Sequence, residues 1–437
     1  MRIAIIGTGV SGLGAAYLLH SDYEITIYEK RDRIGGHAHT VDADYDGTPI
    51  PVDTGFIVYN DRNYPNLTRL FDRLKVPTRV SDMSFGVSSR GGELEWSGGS
   101  LGAVFAQKRN LMRPAFLEML RDIMRFNRQA IADLDAGALS NVTIGDYLYL
   151  RGFSESFARD YLEPMGAAIW SAPRSKIFDF PAASFIRFFN NHGLLSFDRH
   201  HWRTVEGGSR EYVNRLVAPF RDSIRLGCGV THVKREADRV LVTGADGETE
   251  AYDQVIFACH SDQVLPLLSC PTAEEVRVLG DLKYTPNQAY LHRDLSLMPR
   301  RRKVWSSWNY ICGDYEDPDL PNATITYWMN RLQGIDMAYQ LYVTLNPTEP
   351  PAPELTFSHF VYDHPQFDSG ALAAQRALPT LHGKNRSWYC GAYSGFGFHE
   401  DGLRSGLDVA ERLSGKVRPW ARKPIAEEHH DLPGDGT

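Results

Sequence analysis

A short apolar run, Arg2 to Ile6, passes directly into Gly7-Thr8-Gly9-Val10-Ser11-Gly12-Leu13-Gly14 and then into the helix-like Ala15 to His20. A strand, a glycine turn and a helix in that order leave a chain few choices of fold. Gly7 permits the tight turn, and Gly9 lets the backbone approach a pyrophosphate. Gly12 lets helix and strand pack closely, while the helix N-terminus at Val10 and Ser11 faces the anion. A second β-type run, Glu24 to Tyr28, ends in Glu29 with Lys30 behind it, at the distance expected of an acid that hydrogen-bonds a ribose. A carboxylate there would repel a 2′-phosphate, so a free ribose hydroxyl is expected. The stretch predicts an α/β fold with a Rossmann-like, dinucleotide-binding sheet.

The chain of 437 residues is too long for one simple core and predicts two domains. Its net charge of −7 gives no bulk attraction to nucleic acid, so no nucleic-acid partner is expected. Five scattered cysteines, Cys228, Cys259, Cys270, Cys312 and Cys390, form no CxxC pair. They fit a reducing compartment and supply no metal site. The first strand begins at Arg2 and no apolar run has the length of a membrane span, so a cytoplasmic protein is expected.

Arg31-Asp32-Arg33-Ile34-Gly35-Gly36-His37-Ala38-His39-Thr40 resembles the RxGGR…T motif that follows the second strand in flavoproteins of the amine oxidase and phytoene desaturase superfamily. The resemblance implies FAD, with Arg33 near the phosphates and the Gly35-Gly36 backbone against the flavin end. His37 stands where the superfamily usually has arginine. The Asp53-Thr54-Gly55 of Val52 to Val58 is also typical of the superfamily, as is the double glycine Gly207-Gly208 before the helix-like Arg210 to Ala218. Gly391-Ala392, followed by Gly397 to Gly406, resembles the terminal flavin motif. It implies a helix whose N-terminus faces the flavin, with Asp401 as its cap and Gly402 and Leu403 in contact; Val230 is expected to complete the cofactor contacts.

The implied architecture is a glutathione-reductase-like FAD-binding domain of the amine oxidase type with an inserted α+β substrate domain. The FAD domain is discontinuous, at residues 1–80, 205–281 and 385–415. The substrate domain takes 81–204 and 282–384, and 416–437 is a tail with Pro419, Pro424 and Pro433. Strands are expected at Val255 to Cys259, Asn287 to His292, Val304 to Tyr310, Ala323 to Met329 and Gln340 to Leu345. Phe116, Leu117, Leu120, Met124, Ile131 and Leu134 recur at helical spacing from Pro114 to Ala136. The opposite face carries Arg113, Arg121, Arg125 and Arg128 and reads either as a solvated face or as a surface that meets lipid. Trp170, Phe178, Phe180, Phe185, Phe188, Phe189 and Phe197 read either as core or as the lining of an apolar pocket.

Leu291-His292-Arg293-Asp294, Trp305 to Tyr310, Tyr327 to Gln333 and Gly397 to Gly402 together are similar to a bacterial amine-oxidase-like family associated with cyclopropane and methyl-branched fatty acid modification. That resemblance implies an FAD-dependent desaturase acting on a fatty acyl chain; peripheral contact with the inner face of the cytoplasmic membrane is expected through the basic 108–128 segment or the aromatic 178–197 segment. A flavin amine oxidase and a flavin-binding accessory protein without turnover are the alternatives. Desaturation removes a hydride and a proton, and so requires a base. His292 is ranked first by its alignment with the superfamily's lysine position, then His399 and His260, which follows the expected strand end. The oligomeric state is open.

Overall fold

Why the first strand is central follows from its burial. The computed structural model describes residues 1–139, 142–170, 174–195, 201–312 and 324–421. In it β1 (Arg2–Ile6) holds Ile3, Ala4 and Ile5 fully buried on both faces, as in a strand covered by helices on either side. It pairs in parallel with β2 (Glu24–Tyr28) on one edge and with Gln254–Phe257 on the other. Ile224–Arg225 and Ser387–Tyr389 complete a five-stranded parallel sheet. Three distant stretches of chain therefore build one sheet, and the carboxyl ends of its strands share one edge, where ligands of such sheets sit.

Helix α1 (Val10–Leu19) covers β1, and the closing helix His399–Ser414 lies against α1. The contact is between backbones: a Cβ at Gly406 would come within 2.0 Å of the Ser11 carbonyl oxygen. Gly402 faces Val10 and Ser11, and Leu403 and Leu407 face Gly14, so the two helices run in the same direction.

A second sheet of seven strands has the order Thr356–Pro365, Tyr284–His292, Tyr342–Leu345, Thr324–Trp328, Trp308–Ile311, Phe85–Ser89, Leu94–Ser97. Its apolar side shares a core with the helices Pro114–Asp135, Ile144–Leu150, Glu163–Trp170 and Ala182–Asn191. A buried polar knot ties the hairpin Thr40–Tyr45/Thr48–Asp53 to the helices Arg210–Val217 and Met329–Gln333. The Asp53 carboxylate accepts from the Thr40 hydroxyl at 2.6 Å, the Ser209 N–H at 2.9 Å, the Ser209 hydroxyl at 2.7 Å and Gln333 Nε2 at 3.1 Å.

Several expectations shift. The strand expected from Val304 begins at Trp308, because Arg302–Val304 closes a 3-10 turn. Thr356–Pro365, the longest strand, was not anticipated. In helix Pro114–Asp135 the buried residues are Phe116, Met119, Asp122, Phe126 and Ala130, whereas Leu117 and Met124 point outward. Phe197, Ala323, Pro424 and Pro433 lie outside the described residues. Among the described residues no helix is long and apolar enough to cross a membrane, and no group of three or more His, Cys, Asp or Glu could hold a metal ion.

Candidate flavin site

The turn after β1 is fixed by contact. A Cβ at Gly12 would lie 2.1 Å from the Gly7 carbonyl oxygen, so only glycine lets α1 start there. Gly9 differs: its backbone is ordinary, with φ −65°, and nothing lies within 4 Å of where its Cβ would be. The open direction at Gly9 is the cradle. Gly36 closes one side, since its Cβ would stand 3.0 Å from Gly9 Cα, and the Gly35 N–H donates to the Thr8 carbonyl at 3.1 Å.

Glu29 follows β2 and is buried. Its carboxylate accepts from the Thr8 N–H at 3.1 Å, from the Thr8 hydroxyl and from the Arg31 N–H at 2.9 Å. Lys30 is exposed beside it, with Gly229, the neighbour of Val230, packed over it. Thr54 and Gly55 sit across from His37 and His39 through the bonds Thr54 N–H to His39 O at 2.9 Å and Phe56 N–H to His37 O at 2.8 Å. The Gly391 N–H is bound by the Ser405 hydroxyl oxygen at 2.9 Å. Asp401 supports the closing helix from inside its first turn, accepting from the N–H groups of Phe396 at 3.0 Å and Phe398 at 3.1 Å.

Two orphaned groups report what the cradle is for. Arg33 donates through Nη1 to the Gly36 carbonyl at 2.8 Å, yet its Nη2 is buried with no partner. His37 Nε2 is buried without a partner as well. Unpaired buried donors are costly unless a ligand satisfies them. The N-termini of α1 and of the closing helix supply further positive potential from the same side. A pyrophosphate fits this donor set, and Glu29 fits a ribose hydroxyl.

His37 also belongs to an aromatic cluster. Its ring lies 5.8 Å from His260, 5.1 Å from Tyr362 and 5.9 Å from His364, and His260 stacks on Tyr284 at 4.5 Å. His39 Nδ1 meets the Tyr362 hydroxyl at 2.8 Å. His364 and Tyr362 went unnoticed in the sequence; their signal is the alternation Phe360, Tyr362, His364 along one face of Thr356–Pro365. His399 stands apart from this cluster, stacked on Phe56 at 3.9 Å with its Nε2 2.6 Å from the Tyr212 hydroxyl.

His292 is not brought to the cradle. It is eight residues along its strand from Tyr284, about 27 Å at the usual rise. Both ring nitrogens are also occupied, Nε2 by the Thr344 hydroxyl at 2.7 Å and Nδ1 by the Asp294 N–H at 3.1 Å. That is the bonding of a structural histidine.

Burial holds these imidazoles neutral. His39, His260, His292 and His364 are each pushed down to about 4 and His399 to about 3. His37 is driven well below its ordinary value by burial and then by the neighbouring His364 and His260. Between those values and 6.5 the unfolded chain binds more protons than the folded one, so stability falls as pH drops through that window. One such group contributes on the order of 3 kcal/mol. Asp53, raised to about 6 by burial, works in the opposite direction and offsets part of one. The melting temperature is therefore expected to fall steeply between pH 6.5 and about 4.5; an unchanged melting temperature across that range would contradict the buried, neutral cluster.

A parallel sheet with a glycine cradle at its carboxyl edge, faced by two helix N-termini, defines a dinucleotide-binding protein of the flavoprotein type. The family model for flavin containing amine oxidoreductases matches residues 10–289, and the chain belongs to that family. It is an FAD-dependent oxidoreductase, and Gly9, Glu29, Arg33, His37 and the two helix ends are the groups that would hold the cofactor. A fatty acid isomerase from P. acnes described as producing CLA has the same fold, with a TM-score of 0.69 at 16% identity over 94% of this chain and 98% of that one. Putrescine oxidase bound to putrescine gives 0.63 at 16% identity over 95% and 100%. Cyclohexylamine oxidase from Brevibacterium oxydans gives 0.63 at 17% identity over 94% and 99%. At such identities the likeness is one of fold. Polyamine oxidase 5 of Oryza sativa subsp. japonica is 38% identical over 72 residues, which span 16% of this chain and 14% of the rice protein.

Proposed function

We propose that the protein oxidises a fatty acyl chain, removing a hydride and a proton from a methyl-branched, unsaturated hydrocarbon segment to leave a conjugated diene. One observation carries the reading: the crevice bounded by Trp170, Phe180, Phe185, Phe367, Leu372 and Phe396, about 20 Å³ and so open to a chain only when these rings part, is apolar, and none of its lining side chains is charged. A hydrocarbon suits such a lining, whereas an ammonium would find no carboxylate there. The crevice ends at Gly395 and Phe396, in the loop that Asp401 fastens to the head of the closing helix.

Bound at the cradle, FAD would supply the hydride acceptor. The chain's own residues must hold the acyl segment, exclude water and take the proton. His399, three residues beyond Phe396, is the histidine best placed for the proton. When its Nε2 donates to the Tyr212 hydroxyl, Nδ1 is left as the acceptor; burial keeps the ring neutral, and by pushing it down to about 3 also makes it a weak base, suited only to a proton that hydride loss has made acidic. An allylic C–H is the easiest to break, which favours a chain that already contains a double bond.

The test incubates the holoprotein in air with phospholipid or free acid bearing a methyl-branched monoenoic chain, followed by mass analysis of the acyl groups. The expected product is two hydrogens lighter and absorbs as a conjugated diene. His399→Gln is expected to slow its formation by at least roughly tenfold with flavin content unchanged, while His292→Gln stays within about twofold. Turnover of diamines but not of lipid would replace this reading by an amine oxidase. Bound FAD with turnover of neither would leave an accessory flavoprotein.

A further inference from the structure

The four most exposed large apolar side chains among the described residues are Tyr149 at 86%, Met112 at 84%, Leu101 at 79% and Leu150 at 70%. All fall within residues 101–150, where Leu111, Leu117 and Met124 are exposed as well, whereas exposed apolar side chains elsewhere, such as Val80 and Val417, are scattered along the chain. We infer that this face docks on an anionic lipid bilayer. The inference stands apart from the lipid-oxidation reading, since a protein can sit on a bilayer whatever it oxidises.

Local structure explains why these groups face outward. Helix Pro114–Asp135 turns Phe116, Met119, Phe126 and Ala130 into the core. Its outer face repeats Leu117, Arg121, Met124 and Arg128 at the i, i+4, i+7, i+11 spacing of one stripe, with Leu117 43% and Met124 55% exposed. The turn before the helix adds Leu111 and Met112 between Lys108, Arg109 and Arg113. Arg125 donates to the Gly152 carbonyl at 2.8 Å and lies over the Phe153 ring, which brings the C-terminal end of helix Ile144–Leu150, with Tyr149 and Leu150, beside the same helix.

Charge decides the kind of partner. Residues 108–128 carry six basic side chains against two acids, a local +4 in a chain of net −7. Of the acids, Glu118 pairs with Arg121, and Asp122 is buried under Arg121 and Arg125. Arg109 and Arg113 reach the Glu93 carbonyl and no carboxylate, and among the described residues Lys108 and Arg128 have no ion-pair partner. Cations alone would suit any polyanion. Protruding leucine, methionine and tyrosine among cations suit a bilayer, where apolar tips enter the acyl boundary and long basic chains stay at the headgroups.

The test is sedimentation of the full-length holoprotein with vesicles of phosphatidylcholine alone or mixed with phosphatidylglycerol. Binding is expected to the mixed vesicles, at least tenfold tighter than to phosphatidylcholine alone, and to be lost at high salt. Leu101→Ser with Met112→Ser is expected to weaken it by tenfold or more, and Lys108→Glu with Arg128→Glu to abolish it, with flavin content and melting temperature unchanged in both. Equal binding to neutral and anionic vesicles, or no binding at all, would overturn the inference. So would a dimer in sedimentation equilibrium that Met112→Ser dissociates, since the face would then belong to a second copy of the chain.

Discussion

Gly9→Glu is expected to give a folded, colourless protein. The backbone at Gly9 is one any L-residue adopts, and nothing stands within 4 Å of its Cβ direction, so the substitution strains nothing. The new carboxylate would occupy the cradle in front of Arg33 Nη2 and the two helix ends, displacing the pyrophosphate from charge-assisted bonds. Such bonds contribute about 1.5–3 kcal/mol each, so FAD affinity should fall by more than about a hundredfold. Thermal unfolding of the apoprotein should match wild type. Gly12→Val provides the contrast: its Cβ would meet the Gly7 carbonyl at 2.1 Å, so folding itself is damaged. Retained yellow colour in Gly9→Glu after dialysis would place the cofactor elsewhere.

Asp53→Ala carries the largest expected loss of stability. The carboxylate gathers donors from Thr40, Ser209 and Gln333, three segments far apart in sequence. Thr40 and Ser209 can turn their hydroxyls toward one another, being 3.3 Å apart, but the Ser209 N–H and Gln333 Nε2 would be left buried without an acceptor. Two such orphans and the lost charge-assisted bonds amount to about 4 kcal/mol. Urea unfolding should show a lowered midpoint, with Asp53→Asn recovering part of the loss because its amide oxygen still accepts. A midpoint within error of wild type would show that the knot does not hold the hairpin to the two helices.

What the sequence disclosed and what it concealed divide along physical lines. The cradle was legible because Gly7 and Gly12 answer to backbone geometry and Gly9 to the approach of a ligand, all within a few residues, and Glu29 follows one helix and one strand later. The apolar run at Val255 marked a buried parallel strand for the same reason, since both of its faces are covered. The side of helix Pro114–Asp135 that faces the core was not legible. Apolar residues lie on both of its faces, so spacing alone could not separate Phe116 and Met119 from Leu117 and Met124. His292, ranked first as base from alignment, has both ring nitrogens bonded to Thr344 and Asp294, partners that alignment of a strand does not reveal. His364 and Tyr362 were missed because Thr356–Pro365 mixes serine, histidine and aspartate with aromatics, which obscures its alternation until the strand is seen beside Tyr284–His292.

The most direct measurement mixes the FAD-loaded protein, without oxygen, with a methyl-branched monoenoic acyl lipid, and with the same lipid deuterated at its allylic carbon. If the protein removes that hydrogen as hydride, the flavin absorbance bleaches with the first lipid and bleaches several times more slowly with the second. Flavin that stays oxidised with the lipid, or that bleaches at one rate for both forms, would contradict the account.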